Sequence, residues 1–173
     1  ADTTIYSQSK HGTSVWSVIG AYAPDILIGA AYGAEFLLAK SERIGSETIL
    51  EEDLFVAAVE WAEANGADII SSSVAYRDFA YVEDDYQFEQ LDGQTTNAAK
   101  AINWAFERGV LPVICAGNEA GNFPQDGGLL TPSDAYGALT VGAVNRDGQI
   151  AGFSSHGPTA DGRIKPDLCA LGV

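Results

Sequence analysis

Asn118 and His11 are the two side chains whose type and setting first suggest chemistry. The run Leu111 to Ala116 is apolar, has a strand's length, and is bounded by Gly109 and Gly117, which predicts a buried strand of an α/β sheet. Ligands of open parallel sheets sit just past the carboxyl ends of the strands. Here that position holds Gly117, which lets another backbone come close, and then Asn118, whose amide can donate a hydrogen bond to a developing oxyanion. The same pair is also ordinary turn chemistry, so it needs support from elsewhere. His11, in His11-Gly-Thr-Ser14, opens an amphipathic helix. The positive end of the helix dipole favours a neutral ring there, the state a general base requires. A partly exposed His beside a Gly is the plain alternative.

The elements that must position these groups alternate along the chain. The helix at His11 carries Val15, Val18, Ile19 and Tyr22 at helical spacing and is closed by Pro24; Glu35 to Ala39 is expected as a strand after a turn at Gly33. A polar loop, Ser41 to Thr48, precedes a helix over Asp53 to Ala64 with Leu54, Ala57, Ala58, Trp61 and Ala62 on one face, ended by Asn65-Gly66. A strand follows over Asp68 to Ala75, then an acidic, aromatic-rich loop from Tyr76 to Asp92. The third helix, Thr96 to Arg108, buries Ala98, Ala101, Ile102, Ala105 and Phe106 and stops at Gly109. After the strand ending at Ala116 come a Gly- and Pro-rich loop over 121–132, a strand over Leu139 to Val144, and an irregular tail from Phe153 through Asp167. Helices and strands in alternation predict a parallel, helix-covered sheet.

Composition narrows the function classes. The 173 residues suffice for one domain with a sizeable core. Nine Lys and Arg against 24 Asp and Glu give a formal charge of -15, which argues against nucleic acid as a partner, since phosphate binding needs a basic surface. No apolar run is long enough to span a membrane. The chain opens on Ala1 and contains no Met, so it is expected to be a mature product or a piece of something longer. Cys115 and Cys169 form neither a disulfide framework nor a metal-ligand spacing, and both are expected as buried thiols. The carboxylates between Tyr76 and Asp92 read as solvated surface; a calcium-binding or substrate-rim loop is the sharper alternative, without assignable ligands.

Four segments, in order, resemble those of the subtilisin-like serine peptidases, the subtilases. His11-Gly-Thr with its helix resembles the motif of the family's catalytic His, and Ala67-Asp-Ile-Ile-Ser-Ser-Ser-Val-Ala75 its substrate-binding strand. Cys115-Ala-Gly-Asn118 resembles the oxyanion-hole loop. Leu139-Thr-Val-Gly-Ala-Val144, followed by Phe153-Ser-Ser-His-Gly-Pro158 through Leu168, is the most specific of the four. The resemblance implies a three-layer α/β fold with a mostly parallel sheet and helices on both faces, here incomplete. It further implies peptide-bond hydrolysis by Ser-His-Asp acyl transfer, with His11 as general base and Asn118 as oxyanion donor. The backbone of Ser73, Val74 and Ala75 would take an extended peptide as an added strand, and Cys115, Ala116 and Gly117 would wall the pocket for the residue before the scissile bond.

The departures are equally informative. Asp2, the only carboxylate before His11, lacks the following Gly of the family's triad Asp, and Gly12-Thr-Ser14 lacks the Pro of the family's Ser motif. His156 and Leu171 stand where relatives often carry Arg and Pro. The resemblance therefore implies an internal piece of a catalytic domain, inactive alone, that self-associates to cover its apolar surface. It implies a peptide or protein substrate, no cofactor for the chemistry, a structural calcium as an unassigned option, and a secreted or cell-envelope location. The rival reading is a non-catalytic, subtilase-like peptide-binding module.

Overall fold

The computed structural model describes residues 9–43 and 45–173, in two compact units, Ala1–Ala39 and Lys40–Val173. Asp2 lies outside the described residues.

The first unit is a helix followed by a small hairpin. Helix α1 spans His11–Gly20, and strands β1 (Tyr22–Ala23) and β2 (Leu27–Ile28) pair antiparallel through a turn in which Asp25 adopts φ +69°. The helix thus ends before Pro24, and Tyr22, expected on its apolar face, belongs to β1 and is exposed. None of the helix residues is buried, and Val18 is 61 % exposed. What the unit does bury is backbone: a Cβ on Gly29 would lie 2.3 Å from the Ile19 carbonyl oxygen, so only glycine permits this approach of hairpin to helix. Trp16 meets Phe36 edge to face at 5.8 Å. The expected strand over Glu35 to Ala39 does not form; among the described residues no neighbouring strand supplies it with a ladder.

The second unit holds the sheet. Strands β3 (Ile69–Ser72), β4 (Leu111–Cys115), β5 (Leu139–Val144) and β6 (Leu168–Leu171) lie side by side in that order, all parallel. The α/β class and the parallel sheet are as expected. Helices α2 (Leu50–Ala64) and α3 (Asn97–Glu107) pack on each other, and α3 packs on β4. Their shared core comprises Phe55, Val59, Ala98, Ile102, Ala105 and Ile114 among others.

Two helix faces differ from expectation. In α2 the buried residues are Glu51, Glu52, Phe55 and Val59, while Ala57 and Trp61 are exposed. Glu52 sets this rotation: its carboxylate accepts the backbone N–H of Ala98 at 2.8 Å, at the start of α3, and the Tyr86 hydroxyl at 2.6 Å. A carboxylate at a helix N-terminus satisfies an orphan donor and meets the positive end of the dipole. Thr96 caps the same helix by accepting from Ala99 N–H at 3.2 Å. At the other end Phe106 is 52 % exposed rather than buried, and Gly109, at φ +92°, turns the chain into β4.

The acidic loop is not merely solvated. Arg77 makes a two-pronged pair with Asp126, Nη2 to Oδ2 at 2.8 Å and Nη1 to Oδ1 at 3.1 Å, with its guanidinium 3.8 Å above the Phe123 ring. Asp85 accepts the Phe79 N–H, and Asp92 accepts the N–H groups of Gln94 and Thr95. Among the described residues no three His, Cys, Asp or Glu side chains gather where a metal ion could be held. The tail is anchored too. Arg163 donates to the carbonyls of Asp92 and Asp134, and buried Lys165 donates to Ala138 O and pairs with Asp167, whose carboxylate also accepts Thr140 N–H at 2.8 Å. That anchoring delivers residues 168–171 to the sheet as β6, a strand the tail's composition does not announce. Cys169, expected buried, is exposed on this strand, and Cys115 is partly buried, its thiol pushed up by burial; both are free.

Candidate functional site

Strands β3 and β4 are parallel and in register to Ser72 opposite Ile114, so the residues that follow leave the sheet at the same end. From β3 come Ser73, Val74 and Ala75, half-buried and without a strand partner among the described residues; the chain is next held at Tyr76, bridged to Thr131 by hydrogen bonds of 2.7 and 3.1 Å. From β4 come Cys115, Ala116, Gly117 and Asn118. The second unit therefore brings Ser73–Ala75 and Cys115–Asn118 to one end of adjacent strands. A backbone free of ladder partners at a strand end is what an added strand requires.

The turn at Asn118 is shaped by its neighbours. Ala116 is buried, and its N–H donates to Val141 O at 2.9 Å. Gly117 takes φ +111°, and a Cβ there would meet Leu130 Cδ1 and Ser155 Oγ, each at 2.9 Å; both conformation and space call for glycine. Ser155, fully buried, donates its N–H to Gly117 O at 3.0 Å and accepts the Glu119 N–H on its hydroxyl at 2.9 Å. Both neighbours of Asn118 are tied to this one serine. The Asn118 side chain itself is exposed and engages no hydrogen bond among the described residues. An amide with an unused donor, on a turn whose flanks are fixed, can serve a ligand without breaking anything.

The loop over 121–132 closes this end of the sheet. His156 N–H donates to Gly127 O at 2.9 Å, and a Cβ on Gly127 would fall 2.4 Å from the His156 ring, so His156 is packed against the loop. Arg77 donates to Leu129 O at 3.4 Å, and Asp126 accepts Gly128 N–H at 3.0 Å. Burial is the largest single influence and would raise the Asp126 carboxyl, but the Arg77 hydrogen bonds, the Gly128 N–H and the Arg77 charge together outweigh it and hold the carboxyl below the ordinary value.

Next to this loop lies a group that composition did not single out. Asp134 is fully buried; Gly93 N–H donates to its Oδ2 at 2.7 Å, while Oδ1 has no partner among the described residues. Burial pushes its carboxyl up to about 6. An open hollow between α2 and α3, lined by Asp53, Glu60, Lys100 and Trp104, lies on the helical layer and shares no residue with the strand-end groups.

His11 belongs to the first unit. It is the first residue of α1, exposed, with its N–H donating to Ser9 Oγ at 3.2 Å. Sequence reasoning misses Leu130, Ser155 and Arg77 as site-building residues. Ser155 stands in the recognised Phe153-Ser-Ser segment, whereas an apolar Leu130 within a Gly- and Pro-rich loop is the only signal for that residue.

Comparison with known proteins gives a consistent answer. The subtilase family model, peptidase S8, matches residues 1–173. Serine protease AprX of Bacillus subtilis is 26 % identical over 182 residues, covering 99 % of this chain and 39 % of that protein. Alkaline protease 1 of Aspergillus clavatus is 43 % identical over 61 residues, 35 % of this chain and 14 % of its own length. Among solved structures, the prenylagaramide maturation protease PagA superposes with a TM-score of 0.67 at 24 % identity, covering 96 % of this chain and 53 % of its own. The self-cleaved protease domain of PatA gives 0.64 at 26 % identity, covering 86 % and 50 %. The chain thus spans about half or less of the proteins it matches.

Proposed function

The chain belongs to the subtilase family, and on that premise we propose that the protein carrying it is a serine endopeptidase that cleaves peptide bonds by acyl transfer. In this reading His11 is the general base and the Asn118 amide donates to the oxyanion of the tetrahedral intermediate. An extended peptide pairs with the backbone of Ser73, Val74 and Ala75, and Cys115, Ala116 and Gly117 wall the pocket for the side chain before the scissile bond. The observation that carries the reading is the unused amide of Asn118 at the carboxyl end of β4, on a turn whose two flanking residues are fixed by Ser155. Hydroxyl attack on the carbonyl needs a base to take its proton and a donor to hold the oxygen, and the resemblance of the His11 and Asn118 segments to the family's motifs assigns these roles to them.

The nucleophilic Ser and the orienting Asp are proposed to come from parts of the protein other than residues 1–173, so this chain alone is expected to be inert. A secreted or cell-envelope location, and a peptide or protein substrate, belong to the same proposal. Fluorophosphonate labelling of the full-length protein, with this chain as control, tests it. A single labelled Ser in the full-length protein, and none in this chain, is the expected result. Absence of labelling and of peptide hydrolysis in a folded full-length protein would replace it with a non-catalytic peptide-binding module.

A further inference from the structure

We propose that Arg77 is a positioning residue for peptide binding: its clamp on the 121–132 loop keeps Ser73–Ala75 extended, and so sets how well a peptide backbone pairs there. The inference rests on the peptide-binding part of the reading above and adds the residue that shapes the binding strand.

The stretch needs an anchor beyond its own sequence. The ladder of β3 ends with Ser72 opposite Ile114, and Ser73, Val74 and Ala75 continue without a strand partner among the described residues. A local alternative competes for this backbone: Val74 N–H donates to the Ser72 hydroxyl at 3.2 Å, a side-chain turn that draws the chain back on itself. An added strand needs the opposite, N–H and C=O groups presented at extended pitch. Ser72 is fixed by the sheet, so the extension of the three residues depends on where their far end is held.

Tyr76 and Arg77 hold it. Tyr76 is bridged through its main chain to Thr131, N–H to carbonyl at 2.7 Å and carbonyl to N–H at 3.1 Å. The Arg77 carbonyl accepts the Tyr86 N–H at 2.8 Å, while the guanidinium reaches across to the loop. There it meets both oxygens of Asp126, the Leu129 carbonyl at 3.4 Å and the Phe123 ring at 3.8 Å. Asp126 is itself tied to the loop, accepting the Gly128 N–H at 3.0 Å.

An ion pair as inaccessible as this one, 7 % exposed on each side, is a poor source of stability, because desolvation takes back most of the Coulomb gain. Two apolar side chains could fill the same space. What they could not supply is direction: the planar fork fixes the orientation of Arg77 to the carboxylate, and with it the main chain just past Ala75. A binding strand set at the wrong pitch weakens ground-state and transition-state pairing alike, so the loss is felt in KM and not in kcat.

Two variants of the full-length protein test this. Arg77→Lys keeps the charge and loses the fork; Arg77→Met combined with Asp126→Leu removes both charges and fills the space. kcat and KM are measured on a peptide substrate, binding of the product peptide that ends at the cleaved bond is measured by calorimetry, and thermal melts check the fold. Expected in both variants is a KM and a product Kd raised about tenfold, the worth of roughly one main-chain hydrogen bond, with kcat within about threefold. A doubly apolar variant that folds and keeps the unaltered KM and Kd overturns the proposal, since the pair would then only fill space. A fall in kcat at constant KM overturns it too. Where the double variant does not fold, Arg77→Lys decides alone, and an unaltered KM and Kd there overturns the proposal. Weakened product binding in a protein that shows neither hydrolysis nor labelling would retain it and remove the catalytic reading; hydrolysis with a KM that neither variant moves would do the reverse. A folded protein that neither binds nor cleaves the peptides removes both.

Discussion

The hydroxyl of Ser155 accepts the N–H of Glu119 at 2.9 Å, while the Ser155 N–H holds the Gly117 carbonyl at 3.0 Å. The residue between them, Asn118, has both peptide neighbours clamped and its amide unspent. A preorganised donor of this kind contributes to a transition state because it need not reorganise when charge develops.

Asn118→Ala in the full-length protein is expected to lower kcat by about 10² to 10³ with little change in KM, the pattern of an interaction made in the transition state. Ser155→Ala, which frees Glu119 N–H without touching Asn118, is expected to lower kcat by a smaller factor, about tenfold, through loss of positioning. Steady-state kinetics on both variants decide it; equal effects on kcat would show that the clamp and the amide act as one unit.

Arg77 and Asp126 are both nearly inaccessible, each 7 % exposed in its side chain. Arg77→Leu leaves the Asp126 charge buried and unpaired and is expected to cost about 3 to 5 kcal/mol in chemical denaturation. Adding Asp126→Asn should recover part of that loss, since the uncompensated charge is then gone.

Asp134 gives the protein an unusual acid-side stability. Its carboxyl titrates at about 6 in the folded chain, against an ordinary value of 3.8 for an unfolded one. Between those values the unfolded chain has released a proton that the folded chain keeps, so raising the pH from about 4 through about 6 favours unfolding. This contribution is present below about pH 4 and lost above about pH 6. Burial outweighs the groups that pull this carboxyl down, which are the hydrogen bonds from Gly93 N–H and Thr131 and the charge of the Arg163 guanidinium. Asp134→Asn should flatten the slope and add up to about 3 kcal/mol at pH 7, since one pK unit is worth about 1.4 kcal/mol. Thermal melts from pH 4 to 8 on both proteins test this; parallel curves would contradict it.

One face of the four-stranded sheet carries Ile69, Leu111, Val113, Leu139, Val141 and Leu168 in cross-strand register. Ile69 and Leu168 remain 59 % and 55 % exposed, so this chain by itself is expected to self-associate at micromolar concentration. Leu168→Glu should weaken that association; sedimentation velocity showing a monomer for the unaltered chain would refute it.

Legibility in the sequence depends on how many solutions a pattern admits. β5 is legible to the residue, and α3 nearly so, because a single apolar stripe with Thr96 before it and Gly109 after it allows one helix. In α2 the residues Leu54 to Val59 are all apolar, so period alone selects no face, and the face is set by Glu52 reaching Ala98 across a distance in sequence that no local pattern encodes. β6 is invisible for the same reason: the Lys165 and Asp167 contacts that bring it to β5 are made with Ala138 and Thr140. The candidate site divides likewise. Asn118 and the Ser73–Ala75 stretch lie in recognisable segments, while Leu130 acquires meaning only from its contact with Gly117, which is a fact of packing.

The carboxylate of Glu52 is at once a part of the first turn of α2 and the cap on the first turn of α3, and the Tyr86 hydroxyl closes it from the intervening loop. Fraying α2 from its start therefore uncaps α3 and strands a tyrosine hydroxyl in the same event. The two helices and the loop between them make a single cooperative opening unit, so their amide protons exchange with solvent together rather than helix by helix.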